Sequence, residues 1–137
     1  MDPEIASFLR TFSENVDGIK AHPDKALLNT LTVVAGEFLQ NSGPIAATSI
    51  ASMLEQKFAA APPTYKIPLL YLIDSILCNV RKDFVPAFEA RIVRIYFAGL
   101  RGGLNEKDGK RLVRLLKAWK DRRMFNPAVI AQMEAKT

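Results

Sequence analysis

Between Ile67 and Val80 the chain offers almost no polar face. Ile67, Leu69, Leu70, Leu72, Ile73, Ile76, Leu77 and Val80 point in every direction once the segment is wound as a helix. A helix that is apolar all round has to be buried among other helices. The spacing therefore predicts a central helix from about Thr64, with Thr64 as its N-cap. Tyr71, Asp74, Ser75 and Cys78 interrupt the apolar surface at intervals of three and four, so they share one stripe. Lys82 extends that stripe by a turn if the helix runs on. A carboxylate in such a helix must find a donor or reach water. Either this is the edge of a core helix, with Asp74 and Asn79 tying neighbouring loops, or the stripe floors a groove where Asp74 accepts a hydrogen bond from a ligand.

Prolines divide the remainder of the chain, and a proline is tolerated in the first turn of a helix, where its missing N–H costs nothing. Pro3, Pro23, Pro44, Pro68, Pro86 and Pro127 all read as such starts. The first helix is expected from Pro3 to Val16, ended by Asp17-Gly18. The second runs from about Pro23 to Gln40 and buries Leu27, Leu28, Leu31, Val34, Ala35 and Phe38. The third, from Pro44 to about Ala60, buries Ile45, Ile50, Met53, Leu54 and Phe58. After the central helix, one helix carries Phe84, Phe88, Ile92, Ile95 and Tyr96. Another, from about Glu106 to Arg122, carries Leu112, Leu115, Leu116 and Trp119. A short one follows Asn126-Pro127. No stretch alternates long enough to argue for a strand. The expected fold is all-α, seven or eight helices whose successive antiparallel hairpins form a superhelix rather than a four-helix bundle.

The length of 137 residues suits one domain with a proper core. No apolar run approaches the roughly 20 residues that span a bilayer, and the acidic start MDPEI is unlike a secretory signal. With one cysteine there is no internal disulfide, and an intracellular compartment is expected. The formal charge of +5 is unevenly placed. Residues 107–123 hold eight Lys or Arg against two Asp, a net +6, so the rest of the chain is close to −1. Lys110, Arg114 and Lys117 lie opposite Leu112 and Trp119. Such a face is often just the solvated side, but a solvated face normally mixes signs. A one-sign face suits phosphate, best through arginine's planar fork.

Enzymatic signatures are missing. His22 is the one histidine and precedes a proline. No histidine-based triad, glycine-rich phosphate loop or HExxH motif can be placed. Cys78, between Leu77 and Val80, reads as a buried thiol rather than a nucleophile. The aromatic residues sit on core faces, which leaves no platform for stacking bases. No metal site or cofactor is expected.

The segment LLYLIDSILCNV, followed by a basic helix ending RLVRLLKAWKDRRMF, resembles the RNA polymerase II CTD-interacting domain of pre-mRNA cleavage-complex and transcription-termination factors. LLNTLTVVAGE in the second helix is similar to the LT-x-x-A-E region of the cleavage-factor members. The resemblance covers almost the whole chain. Its specific part is IDSI with an asparagine five residues after the aspartate. It implies a right-handed superhelix of eight helices, related to VHS and ENTH domains, and one domain over residues 1–137 at the N-terminus of a longer nuclear protein. It implies binding of the serine-phosphorylated repeat Tyr-Ser-Pro-Thr-Ser-Pro-Ser at the polymerase tail, in a groove of the second, fourth and seventh helices. Asp74 matches the aspartate that bonds the repeat tyrosine, and Ile67 and Tyr71 would wall the pocket for its ring. Ser75 lies on the same groove floor, and Asn79 matches an asparagine near the peptide backbone. Arg114 matches an arginine that in some members meets the phosphate on the first serine, and Lys25 matches a basic position beginning the second helix. Lys110 and Lys117 are further candidate phosphate contacts. Cys78 stands where lysine is frequent in the family, Arg81 where glycine is frequent, and His22-Pro23-Asp24 where a Phe-Asn-Ser-like stretch is.

Two other readings compete. A VHS- or ENTH-like adaptor would set Lys110, Arg114 and Lys117 against anionic lipid, but the first helix lacks the basic amphipathic character of lipid insertion, so no membrane partner is expected. The basic helix could also contact RNA phosphates directly, with steep salt dependence and no sequence preference.

Overall fold

The computed structural model describes residues 2–22 and 24–137. Among them are eight helices and no strand: α1 (Pro3–Val16), α2 (Lys25–Ser42), α3 (Pro44–Ala60), α4 (Pro63–Asn79), α5 (Phe84–Glu89), α6 (Ile92–Leu100), α7 (Glu106–Asp121) and α8 (Pro127–Glu134). Each helix packs on its near neighbours in sequence. Thus α2 packs on α1, α3 and α4; α4 on α2, α3, α5 and α7; and α6 on α3, α5, α7 and α8. That progressive stacking makes a helical superhelix, as the sequence predicts.

The apolar stretch is the centre of it. Ile67, Leu70, Leu72, Ile73, Ile76 and Leu77 of α4 are each at most 1% exposed. Around them lie Phe12 and Val16 of α1, Ile50, Leu54 and Phe58 of α3, Phe84 and Phe88 of α5, and Trp119 of α7, all in one continuous core. Asp2, Asp24, Asn105 and Asn126 cap α1, α2, α7 and α8 through side-chain oxygens that accept backbone N–H bonds.

Several expected boundaries move. Thr64 does not cap α4: Pro62 holds that position and Pro63 starts the helix, its fixed φ already helical. Pro68 falls inside α4 and starts nothing; the one carbonyl it leaves unpaired is that of the exposed Thr64. Pro23, expected to open the second helix, lies outside the described residues. The single helix expected after Asp83 is two, α5 and α6, broken at Ala90-Arg91. Tertiary bonds fix this break: Arg91 and Arg94 both donate to Glu55 of α3, at 2.8 and 2.7 Å, and Glu89 accepts the Asn126 N–H at 2.8 Å. Lys82 does not prolong the stripe of α4, because Arg81 and Lys82 turn left-handed at φ +58° and +41°.

Lys66 is the surprise of the interior. Only 4% exposed, it runs back along α3 and donates to the Phe58 and Ala59 carbonyls at 2.7 and 3.3 Å. Those are acceptors in the last turn of α3, where the dipole favours a cation; the Phe58 carbonyl also accepts the Ala61 N–H. Burial lowers its pKa from the ordinary 10.5. Gly102 makes room for it. A Cβ there would lie 2.6 Å from Lys66 Cε and 2.8 Å from the Ala98 carbonyl oxygen.

Two stability predictions follow from these contacts. Gly102→Ala should cost about 1–3 kcal/mol, because the backbone oxygen cannot move aside as a side chain can; an unchanged urea midpoint would refute this. The hydrogen bond from Arg94, with help from Arg91, lowers the Glu55 carboxyl below the ordinary 4.5. Its contribution is therefore complete above that value and is lost as the pH falls through the lowered folded-state value. Glu55→Gln should be less stable at neutral pH and should lose less stability than the parent on acidification through that window, as followed by urea melts at a series of pH values.

Candidate peptide-binding groove

Helices α2 and α7 flank α4 on its partly exposed side. Thr32 of α2 meets Ser75 of α4, with hydroxyls 2.7 Å apart, and Gly36 approaches Val80 further along. Residue numbers rise together on both helices, so α2 and α4 run parallel. On the other side Arg111 lies beside Tyr71 and Pro68, and Arg122 beside Cys78. Thus α7 runs the same way, and the three helices bound a groove from the Ile67 end to the Asn79 end.

At the first end is a depression of about 340 Å³. Tyr71 stands on its apolar wall, with Ile67, 1% exposed, behind it, and His22, Lys107, Asp108 and Arg111 make its polar one. Tyr71 is half-buried. Arg111 is steadied by Asp108 at 2.8 Å.

Asp74 lies one turn further on. The Trp119 indole N–H donates to its Oδ1 at 2.8 Å. The Cys78 thiol approaches the same oxygen at 3.5 Å, and the Arg122 guanidinium lies 3.7 Å from it. All three contacts fall on Oδ1, and no described residue donates to Oδ2. The side chain is 23% exposed. The carboxylate is thus anchored by one oxygen and open at the other. Cys78 is half-buried rather than buried, with Arg122 Nη1 3.2 Å from its sulfur. Burial, and then the charge of Asp74, push the thiol pKa up. That suits a donor and not a nucleophile. On the α2 side Ser75 sits between Thr32 and Asn79, whose amide donates to the Ser75 carbonyl at 2.9 Å. Asn79 ties its own helix rather than a loop, and its exposed end faces a second depression of about 370 Å³ bounded by Gly36, Gln40, Val80 and Lys82.

The structure places Tyr71, Asp74, Ser75 and Asn79 along the partly exposed side of α4, whereas Ile67 is buried behind them. Arg114 is exposed, three residues beyond Arg111 and five before Trp119, which sets it level with the section from Tyr71 to Asp74. It pairs with no carboxylate among the described residues. Lys25 is exposed at the start of α2, level with the Ile67 end. Lys110 and Lys117, seven residues apart, lie on the opposite edge of α7. Lys117 borders a depression with Val113 and Glu134, on the side of α8. Sequence reasoning missed Arg111, Arg122, Lys107 and His22. Their signal was present in the helical phase of α7, but which edge faces α4 depends on the tertiary fold.

The Trp119 contact makes Asp74 structural as well as exposed. Asp74→Ala should destabilise by about 1–3 kcal/mol, since it leaves the N–H of a fully buried indole unpaired. Asp74→Asn keeps an acceptor and should cost clearly less. Equal losses in urea melts of the two variants would remove the indole bond as the cause.

Comparison with known proteins agrees with this architecture. The CID domain family profile matches residues 30–133. The chain is 27% identical over 134 residues to polyadenylation and cleavage factor homolog 11 of Caenorhabditis elegans, which covers 96% of the chain and 15% of that protein. It is 29% identical over 118 residues to an uncharacterized protein of Schizosaccharomyces pombe, with 80% of the chain and 18% of that protein covered. The chain thus spans under a fifth of the length of these relatives. Among solved structures, the RPR of Pcf11 superposes with a TM-score of 0.82 at 17% identity, covering 93% of this chain and 95% of that one. The yeast Nrd1 CID, solved in complex with Sen1 NIM1, superposes with a TM-score of 0.69 at 17% identity and 99% coverage of both chains. With three quarters of its residues matched by the family profile and its eight helices stacked as in the Pcf11 structure, the chain belongs to the CID domain family.

Proposed function

We propose that this domain binds the serine-phosphorylated heptad tail of RNA polymerase II, and that it couples transcription to RNA 3′-end processing or termination in the nucleus as one module of a longer protein. The observation that carries this reading is the half-engaged carboxylate of Asp74 beside the Ile67–Tyr71 depression. A tyrosine ring is an apolar body with a polar tip: buried in that depression it gains contact area, and its hydroxyl then needs an acceptor. Asp74 Oδ2 supplies one without disturbing the Trp119 bond on Oδ1. A phosphate on the serine that follows would stand near Arg114, which has no competing carboxylate. Lys25 and Lys107 supply further positive charge at the Ile67 end, where Arg111 is balanced by Asp108. Similarity to a polyadenylation and cleavage factor homolog supports the pathway, and the related Nrd1 CID is known in complex with a segment of another protein.

Ordering a disordered tail costs free energy, so each repeat should bind weakly, and tandem repeats offset this through effective concentration. The test is fluorescence polarisation with two-repeat peptides that are unmodified, phosphorylated on the first serine of each repeat, or phosphorylated on the second. Asp74→Asn should weaken all three. Arg114→Ala should weaken only the first-serine phosphopeptide, by about five- to tenfold for one charge-assisted contact. Absence of binding by any peptide to a folded sample would end this reading.

A further inference from the structure

The groove leaves the opposite edge of α7 unexplained. Behind it, where α7 turns into α8, lies a depression of about 820 Å³, more than twice the volume of the one at Tyr71. Met124, Phe125 and Ile130 make its floor, and Lys120 and Arg123 stand at its rim. The Lys120–Glu134 ion pair, at 2.9 Å, separates it from a second depression of about 420 Å³ that contains Lys117 and Val113. Val113 is 41% exposed. One apolar trough thus runs along the α7–α8 hairpin, crossed by a single ion pair.

The lining of this trough carries three cations, Lys117, Lys120 and Arg123, against two carboxylates, Asp121 and Glu134. Lys120 is balanced by Glu134, and Lys110 weakly by Glu106 at 3.4 Å. Among the described residues Lys117 and Arg123 pair with no carboxylate. Arg123 is also held left-handed, at φ +55°, a conformation glycine adopts more cheaply. The N–H groups of Arg123 and Met124 bond back to the Lys120 and Trp119 carbonyls, so this left-handed residue closes the end of α7. A trough with an apolar floor and unpaired cations fits a peptide that combines both chemistries, a bulky apolar side chain to fill it and carboxylates to meet Lys117 and Arg123. RNA fits it poorly, because stacking needs an accessible ring and Phe125 is only 5% exposed.

We propose that the α7–α8 face is a second docking surface, separate from the groove, for an acidic peptide segment of a partner protein anchored by an aromatic or aliphatic side chain. It does not depend on the groove's ligand. Trp119, the chain's one tryptophan, stands between the two surfaces: its indole N–H bonds Asp74, and Phe125, in the trough floor, packs edge-on against its ring at 5.7 Å and 81°.

The test uses three short synthetic peptides that carry a dye: an acidic one with a central Phe-Leu pair, the same peptide with Ser-Ser at the centre, and a lysine-flanked Phe-Leu version. Polarisation titrations should give saturable binding for the first alone, weakened by salt. Arg123→Gly removes the cation at a position whose backbone suits glycine, so the fold is kept. It should weaken binding about two- to fivefold, as expected for one exposed ion pair. Backbone amide spectra of the nitrogen-labelled domain should shift between Arg123 and Glu134. The proposal is overturned if the acidic anchor peptide does not bind, if Arg123→Gly leaves it unchanged, if the shifts fall on Tyr71 to Asn79, or if single-stranded oligouridine moves the same α7–α8 amides and the peptide does not.

Discussion

The bond between the indole N–H of Trp119 and the carboxylate of Asp74 ties α7 to α4. α4 is apolar enough to be buried by any neighbour, and α7 is basic enough to be dissolved by water. Their association is made specific by one charged acceptor in an apolar helix and one buried donor in a basic helix, 2.8 Å apart. A fully buried indole N–H cannot be left unpaired without cost, and Asp74 is the acceptor it meets. Each therefore fixes the register of the other's helix. The same bond leaves the second carboxylate oxygen of Asp74 at the surface, so the element that locks α7 in place also presents the acceptor that the candidate site needs.

Much of this was legible in the chain alone. The apolar run of α4 has one interruption, and its three- and four-residue spacing places Tyr71, Asp74, Ser75 and Cys78 on one stripe whatever surrounds them. The position of Asp74's partner was not legible. Trp119 reads as a core residue of a basic helix, and nothing local says that its N–H reaches a carboxylate 45 residues earlier. The groove cations were hidden for a related reason. α7 is positive on both edges, and 3.6-residue periodicity separates the edges without saying which one meets α4. Lys110 and Lys117 share a phase with each other but not with the groove, whereas Arg111 and Arg122 lie on the edge that touches Tyr71 and Cys78.

The break between α5 and α6 teaches the same lesson about boundaries. Phe84, Phe88, Ile92 and Ile95 keep a helical rhythm across it, and no glycine or proline stands at Ala90-Arg91. The interruption is imposed from outside, by Glu55 holding Arg91 and Arg94 and by Glu89 capping the approach to α8. Propensity is a weak prior where ion pairs and capping bonds compete with it. Lys66 is a further case: a lysine inside an apolar run reads as a surface residue, yet it is buried as a cap for another helix.

The parallel run of α2, α4 and α7 has an electrical consequence. A helix is a dipole with its positive end at the N-terminus, worth about 0.3–1 kcal/mol to a nearby ion. Here three such dipoles point the same way, and Thr64 and Asn105, at the starts of α4 and α7, border the Ile67 depression together with Ala21 and His22 just ahead of α2. That end of the groove is positive by backbone alone. The far end would be negative, but Arg81, Lys82 and Arg122 gather where α4 and α7 stop. Arg81 and Lys82 are left-handed where the chain turns out of α4. Positive charge thus stands at both ends of the groove, with the Asp74 carboxylate between them. The two positive ends differ in kind, backbone dipoles at one and side-chain cations at the other, which gives the groove a direction.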